Sequence, residues 1–266
     1  MEMDMLRRAL RNYCLDIAYF VKASSSKEEV LSFIRKLRPV ATEYPLIRIG
    51  GSSDGGYMLP NHLSGIEALY SPGVANNSNF EFAMAEDGVP CYLIDYSVDA
   101  AAKSHKNIHF DKKFLGSIND EVYWTLDTWV KKYTPDANEL MLQIDIEGAE
   151  YESFISSSQE TLKRFRIIVA EFHGLDCIFN QYGLKLLNLC FEKLLKDFYV
   201  VHLHPNNCEG EVTKWGVKVP RVMEVTLIRR DSAQLVGFAN QFPHALDETC
   251  VPSNPAIYLD PFWYAD

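Results

Sequence analysis

The chain has 266 residues, 47% apolar and 23% charged, with 36 acidic against 26 basic side chains and a formal net charge of −10. A chain of this length hides roughly three quarters of its unfolded surface, which excludes disorder as its main state. The acidic balance argues against a nucleic-acid partner, because phosphate backbones are held by basic stripes; the pairs Lys112-Lys113, Lys131-Lys132 and Arg229-Arg230 read as solvated element ends.

The N-terminus scatters Glu2, Asp4, Arg7, Arg8 and Arg11 among apolar residues with the period of an amphipathic helix. It has neither a signal-peptide core nor an apolar run of about 18 residues, so no transmembrane segment is expected and the expected location is cytoplasmic. Six cysteines (Cys14, Cys91, Cys177, Cys190, Cys208, Cys250) lie far apart with no CxxC spacing and read as reduced core residues. Residues 1–40 predict two helices, the second opened by Ser26 with Glu29 three positions on, a capping box, and closed by Pro39. Between Arg48 and Met58 the run Gly50-Gly51-Ser52-Ser53-Asp54-Gly55-Gly56-Tyr57 signals a hairpin, either a bare turn or a flap whose Asp54 and Tyr57 close over a ligand.

From residue 66 onward, short apolar runs alternate with helical periods. The expected strands are 66–70, 91–95, 107–110, 140–145, 166–172 and 198–204; the expected helices are 79–87, 121–133, 150–164 and 179–196. Such alternation implies an α/β fold, a doubly wound parallel sheet with helices on both faces. A seventh run, 222–229, follows the sixth without a helix between them and is expected to pair antiparallel. A seven-stranded, mostly parallel sheet of this kind is the Rossmann-like sheet of class I methyltransferases. Residues 41–231 are expected to form this domain, with 1–40 a helical extension and 232–266 a tail laid over it. Phe262, Trp263 and Tyr264 would pack on the body or on a second subunit of a homo-oligomer.

The first strand ends in Tyr70-Ser71-Pro72-Gly73-Val74-Ala75-Asn76-Asn77-Ser78, at the carboxyl edge where doubly wound sheets bind ligands; Gly73 would let backbone approach a ligand. A plain turn capped by Asn77 or Ser78 would read the same way. The pattern is not GxGxxG, which disfavours a pyrophosphate-bearing cofactor. The second strand ends in Asp95, about 20 positions after Gly73, the spacing at which such folds place a carboxylate on a ribose diol. The fourth strand ends in Asp145-Ile146-Glu147-Gly148-Ala149-Glu150. If the chain stays extended, Asp145 and Glu147 share a face and favour a bound cation; Glu147 and Glu150 also suit a helix N-terminus. The fifth strand ends Glu171-Phe172-His173 and the sixth His202-Leu203-His204, each an alternate-residue pair. Three neighbouring strands would thus gather carboxylates and imidazoles on one rim.

The stretches 48–60, 71–81, 92–99, 143–151, 169–176 and 202–208 resemble the FkbM-type S-adenosylmethionine-dependent methyltransferases, above all through Asp145-Ile146-Glu147-Gly148-Ala149-Glu150. The resemblance spans about residues 44–230 and is closest to a branch tied to polysaccharide and lipopolysaccharide genes. It implies that the loop around Gly73, with Asn76 and Ser78, contacts the methionine part of S-adenosylmethionine. It further implies that Asp95 holds the ribose and that Asp145 lies where cofactor and acceptor meet. Family members mostly methylate oxygen, often sugar hydroxyls, so the implied partner is a sugar or glycoconjugate.

Methyl transfer from a sulfonium requires alignment of the acceptor and removal of its proton. The expected base is His173 or His204, with Glu171 and Asp145 orienting it. The alternative is a divalent cation such as Mg²⁺ on Asp145, Glu171 and His173. Two rival readings are a nicotinamide-dependent oxidoreductase and a non-catalytic glycan-binding protein on a methyltransferase fold.

Overall fold

The computed structural model describes residues 23–52 and 54–265, so the first expected helix lies outside the described residues. The second is α1 (Lys27–Lys36), opened by the capping box its sequence encodes. Ser26 Oγ accepts from the Glu29 amide at 3.2 Å, and Glu29 Oε2 accepts from the Ser26 amide at 2.7 Å. It buries Val30, Phe33 and Ile34. After β1 (Val40–Thr42) comes the hairpin of β2 (Leu46–Ile49) and β3 (Tyr57–Pro60), paired in antiparallel register.

The central sheet contains β4 (Ala68–Pro72), β5 (Cys91–Ile94), β6 (Ile108–Asp111), β9 (Leu140–Ile144), β10 (Phe165–Phe172), β11 (Phe198–Lys214) and β12 (Val217–Arg229). Their spatial order is β11-β12-β10-β9-β4-β5-β6, with β12 antiparallel to both neighbours. This is the seven-stranded class I methyltransferase arrangement. Strands β4, β9 and β10 are buried along their whole length because helices cover one face, and the helix Asn79–Glu86 together with the β2–β3 hairpin covers the other. One core layer packs Phe33, Trp129, Phe154 and Phe191 against Tyr70, Leu142 and Phe172; the other packs Phe80 and Met84 against Leu69, Leu93 and Val169.

Several expected helices are shorter than their periodicity suggested. In the 121–133 segment, Phe114–Leu115 (β7) pairs with Tyr123–Trp124 (β8), and α3 starts only at Leu126 (Leu126–Tyr133), where Thr125 Oγ1 accepts from the Thr128 amide. The 150–164 segment breaks at Ser157, which is extended, giving α4 (Glu150–Ser156) and α5 (Gln159–Leu162), the latter capped by Ser158. The helix expected over 179–196 is α6 (Gln181–Leu195), capped by Asn180 and starting two residues later than periodicity placed it. The remaining expected helix is α2 (Asn79–Glu86).

The sixth expected strand runs well past 204. Trp215 (φ +54°) and Gly216 (φ +78°) form a tight turn between Lys214 and Val217, and β11 and β12 leave the sheet as a long ribbon. The largest departure from expectation is positional. The reversed β12 lies between β10 and β11, so the strand carrying His202 and His204 is not the neighbour of the one carrying Glu171.

In the C-terminal segment, β13 (Leu235–Phe238) pairs antiparallel with β1. Trp263 is fully buried, donating from Nε1 to the Lys218 carbonyl at 3.2 Å, whereas Phe262 keeps 41% of its surface exposed. Among the described residues all cysteines are free thiols; Cys208 is exposed rather than in the core. No helix among them is long and apolar enough to cross a membrane.

Candidate active site

The loops after β4, β5 and β9 and the β2–β3 turn enclose a cavity of about 550 Å³, within the range of small-molecule sites. Asp54, Tyr57, Gly73, Asp95, Asp145 and Glu147 all line it. Gly73 has φ +84°, and a Cβ there would lie 1.6 Å from the Asp145 carbonyl oxygen. The glycine is therefore demanded by contact between the β4 and β9 loops, not only by a ligand.

Asp95 is almost wholly buried and ties two loops together. Its Oδ2 accepts from the Ala75 amide at 2.8 Å; its Oδ1 accepts from Ser97 N at 2.7 Å and Ser97 Oγ at 2.6 Å. Three of its roughly four acceptor sites are thus used, leaving about one free on a residue that lines the cavity. Two expected neighbours stand elsewhere. Asn76 is exposed, and Ser78 is buried with its Oγ accepting from the Lys103 amide, so neither lines the cavity. Asn77 lines it instead: its Nδ2 donates to the Asp54 carbonyl at 2.9 Å, and its Oδ1 accepts from Asn79 N at the start of α2. The Asn77–Asp54 bond anchors the hairpin. At Gly55, φ +81°, a Cβ would fall 2.3 Å from Asn77 Nδ2.

Beneath the cavity lies a buried polar row that alternation alone did not reveal. Ser71 Oγ stands 2.5 Å from Glu81 Oε1 and 2.6 Å from Gln143 Oε1, and Gln143 Nε2 donates to the Tyr57 hydroxyl at 3.1 Å. Ser71 has one proton for two acceptors. Burial pushes the Glu81 carboxyl up, and a neutral Glu81 can donate to Ser71, which completes the row.

The Asp145–Glu150 segment does not stay extended. Strand β9 stops at Ile144, and Glu147 (φ +56°) and Gly148 (φ +103°) curl the loop back. Glu150, completely buried, accepts on Oε1 from Ile146 N at 3.0 Å, Gly148 N at 3.1 Å and His173 Nδ1 at 3.1 Å. Its first-turn position hinted only at a helix terminus; the two loop amides and the imidazole are what it serves. His173 Nε2 then faces Glu147 Oε2 at 3.5 Å, Glu171 Oε1 at 3.7 Å and Asp145 Oδ1 at 3.8 Å. Asp145 and Glu147 reach the cavity and His173 stands behind them. For the divalent-cation alternative, the groups whose ligand atoms gather within 4.8 Å are Asp145, Glu147 and His173, with Glu147 in the place expected for Glu171.

The electrostatics follow from burial. Asp145 is pushed up to about 7 by loss of water, with His173 opposing and Glu147 and Glu150 adding to the rise. Glu171 is driven well above the usual range by burial and by the Asp145 and Glu224 carboxylates. Burial alone would lower His173, but its bond to Glu150 and the surrounding carboxylates outweigh that and raise it.

Glu171, Glu224 and His204 lie in direct register across β10, β12 and β11. Glu224 thus separates His204 from Glu171, and His204 lines a different cavity with Asp247. His202 Nε2 meets Asp247 Oδ1 at 2.7 Å. The expected second base is therefore outside the main cavity, because an inserted antiparallel strand displaced it by one position.

Residues 59–198, more than half of the chain, match the methyltransferase FkbM domain model. The chain belongs to this family. No curated protein matches it. Among solved structures, this FkbM-family methyltransferase is similar to one titled a fibrillarin/Nop5p complex, at 14% identity and a TM-score of 0.37, over 63% of this chain and 74% of that one.

Proposed function

We propose that this methyltransferase transfers a methyl group from S-adenosylmethionine to a hydroxyl oxygen, that of a sugar in a polysaccharide or glycoconjugate. The observation that carries the reading is one cavity holding Asp95 at the end of β5 and Asp145 with Glu147 beyond β9, backed by His173. S-adenosylmethionine supplies the methyl already activated on a sulfonium. The residues present fit that molecule: Asp95 has an acceptor site left for a ribose hydroxyl, and Phe114, Leu115 and Tyr123 offer an apolar wall for a flat base. Asp145 and Glu147 offset positive charge. The loop after Gly73 offers small residues but no diphosphate-binding glycine pattern, which favours this reading over a nicotinamide enzyme.

Asp145 and His173 serve as the proton acceptor together. Asp145 is the member that reaches the cavity, and a carboxyl whose pKa lies near 7 is matched to taking a proton at neutral pH. His173, held through Nδ1 by Glu150, positions and shares that proton. These roles reverse the expectation that the imidazole is the base and Asp145 its orienter. The sugar acceptor rests on the family resemblance alone.

Calorimetric titration with S-adenosylmethionine and with NAD tests the cofactor. A micromolar-range signal with the former and none with the latter supports the reading; the opposite pattern overturns it. Mass spectrometry of the host's surface glycan, with and without the gene, tests the acceptor through the mass of one methylene. Turnover unchanged by added Mg²⁺ supports the metal-free route, and activation by it favours the cation on Asp145, Glu147 and His173.

A further inference from the structure

On the far side of β12 from the methyl-transfer cavity lies a second group of titratable side chains, drawn from three separate parts of the chain. His204 comes from β11, Glu224 from β12 directly opposite it, and Cys250 from the C-terminal segment. All three are buried, and one ligand atom from each lies within 4.8 Å of the others. Among the described residues neither ring nitrogen of His204 has a hydrogen-bond partner, although only 8% of the residue is exposed. Nδ1 faces Asp247 Oδ2 only at ion-pair distance, 3.7 Å, and a buried Nε2 with no hydrogen-bond partner costs free energy unless something else takes its lone pair. Cys250 donates its thiol proton to Glu224 Oε1 at 3.3 Å.

We propose that His204, Glu224 and Cys250 bind a zinc ion that fastens the C-terminal segment to the sheet. Imidazole, thiolate and carboxylate are the donor types zinc takes, and one thiolate plus one carboxylate offset its two positive charges. Binding releases the Cys250 proton to solvent, and the sulfur then bonds the metal. Asp247 lies 3.7 Å from His204 Nδ1 and is itself held by His202 at 2.7 Å. That places a carboxylate behind the ligating ring, as metal-bound histidines have, and leaves Nε2 for the ion. A cavity of about 220 Å³ lined by His204, Asp247, Phe242 and Tyr258 adjoins the group and gives the ion a way in. The proposal does not depend on the methyl donor or the acceptor.

The test uses the full chain. Protein expressed with zinc is assayed for metal by mass spectrometry, then stripped with a chelator and refilled with Co²⁺. About one zinc per chain, and a near-ultraviolet sulfur-to-cobalt band, are expected. Cys250→Ser abolishes the band, Cys208→Ser and Asp145→Asn leave it intact, and His202→Ala weakens zinc binding about 10- to 100-fold through loss of the support behind His204. Absence of both zinc and the cobalt band in the unaltered chain overturns the proposal, whether or not the variants fold. A band that survives Cys250→Ser, or zinc lost with Asp145→Asn, also overturns it, the second by placing the ion in the methyl-transfer cavity.

Discussion

Glu150 and His173 are joined across the carboxyl edge of the sheet, His173 Nδ1 lying 3.1 Å from Glu150 Oε1 while that same oxygen accepts from the amides of Ile146 and Gly148. One buried carboxylate therefore fixes both the loop that presents Asp145 and the imidazole behind it. Replacing Glu150 by alanine strands two amides and a ring nitrogen, which costs about 3 kcal/mol of stability. Urea unfolding reads that loss. Methyl transfer is expected to fall further in Glu150→Ala than in Glu150→Gln, which keeps an acceptor for the loop; equal activities would count against this organising role.

Asp145 gives donor binding a pH dependence with a definite sign. Its pKa in the free protein lies near 7, above the ordinary 3.8. A cationic ligand favours the ionised carboxylate, so binding releases a proton, and affinity for S-adenosylmethionine rises with pH up to about 7 and levels off above it. Well below 7 the limiting slope is about tenfold per pH unit. For the unliganded fold the sign is opposite. The native state holds this proton more tightly than the unfolded chain, so Asp145's contribution to stability is lost as pH rises from 3.8 through 7. Calorimetry across pH in wild type and Asp145→Asn checks both, and a variant that keeps the full slope would refute the assignment.

Gly73→Ala is expected to fail structurally. The new methyl would occupy the position of the Asp145 carbonyl in a left-handed backbone, so the β4 and β9 loops must separate. A destabilisation of at least about 2 kcal/mol follows, together with loss of donor binding, read by thermal melting and calorimetry. A stable variant with normal affinity would show that the close approach is not needed.

Asp95→Asn keeps the side chain's shape but exchanges one acceptor oxygen for a donor. Affinity for S-adenosylhomocysteine, which shares the ribose, should drop about 10- to 100-fold, the worth of one hydrogen bond to a charged group. The acceptor's KM should stay unchanged. A change confined to that KM would reassign Asp95 to the acceptor.

Trp263 is wholly buried and bonded to the Lys218 carbonyl. Trp263→Ala is expected to cost about 3 to 5 kcal/mol, and limited proteolysis should then cut first in the C-terminal segment. Phe262→Ala, at a half-exposed ring, should stay within about 1 kcal/mol of wild type.

How much of this was legible in the sequence depended on how local each signal was. The capping box at Ser26, the strand ending at Asp95 and the hairpin around Asp54 are short-range patterns, and the chain folds there as they read. The helix expected over 150–164 was overruled at Ser157, and the one expected from 121 was replaced at its start by the β7–β8 pair; periodicity cannot see which backbone group a serine or threonine will cap. Glu150 read as helix-terminal decoration because its partners lie on a loop and on another strand.

By itself the sequence determined the run of alternating strands and helices, the reversed last strand and the acids and imidazoles at strand ends, because apolar period and turn chemistry are written within a few residues. Only the tertiary structure decided that β12 lies between β10 and β11. That choice left Asp145 and Glu147 lining one cavity with His173 behind them, and put His204, Glu224 and Cys250 in another place, because strand neighbours are selected by burial and cross-strand pairing between residues far apart in the chain.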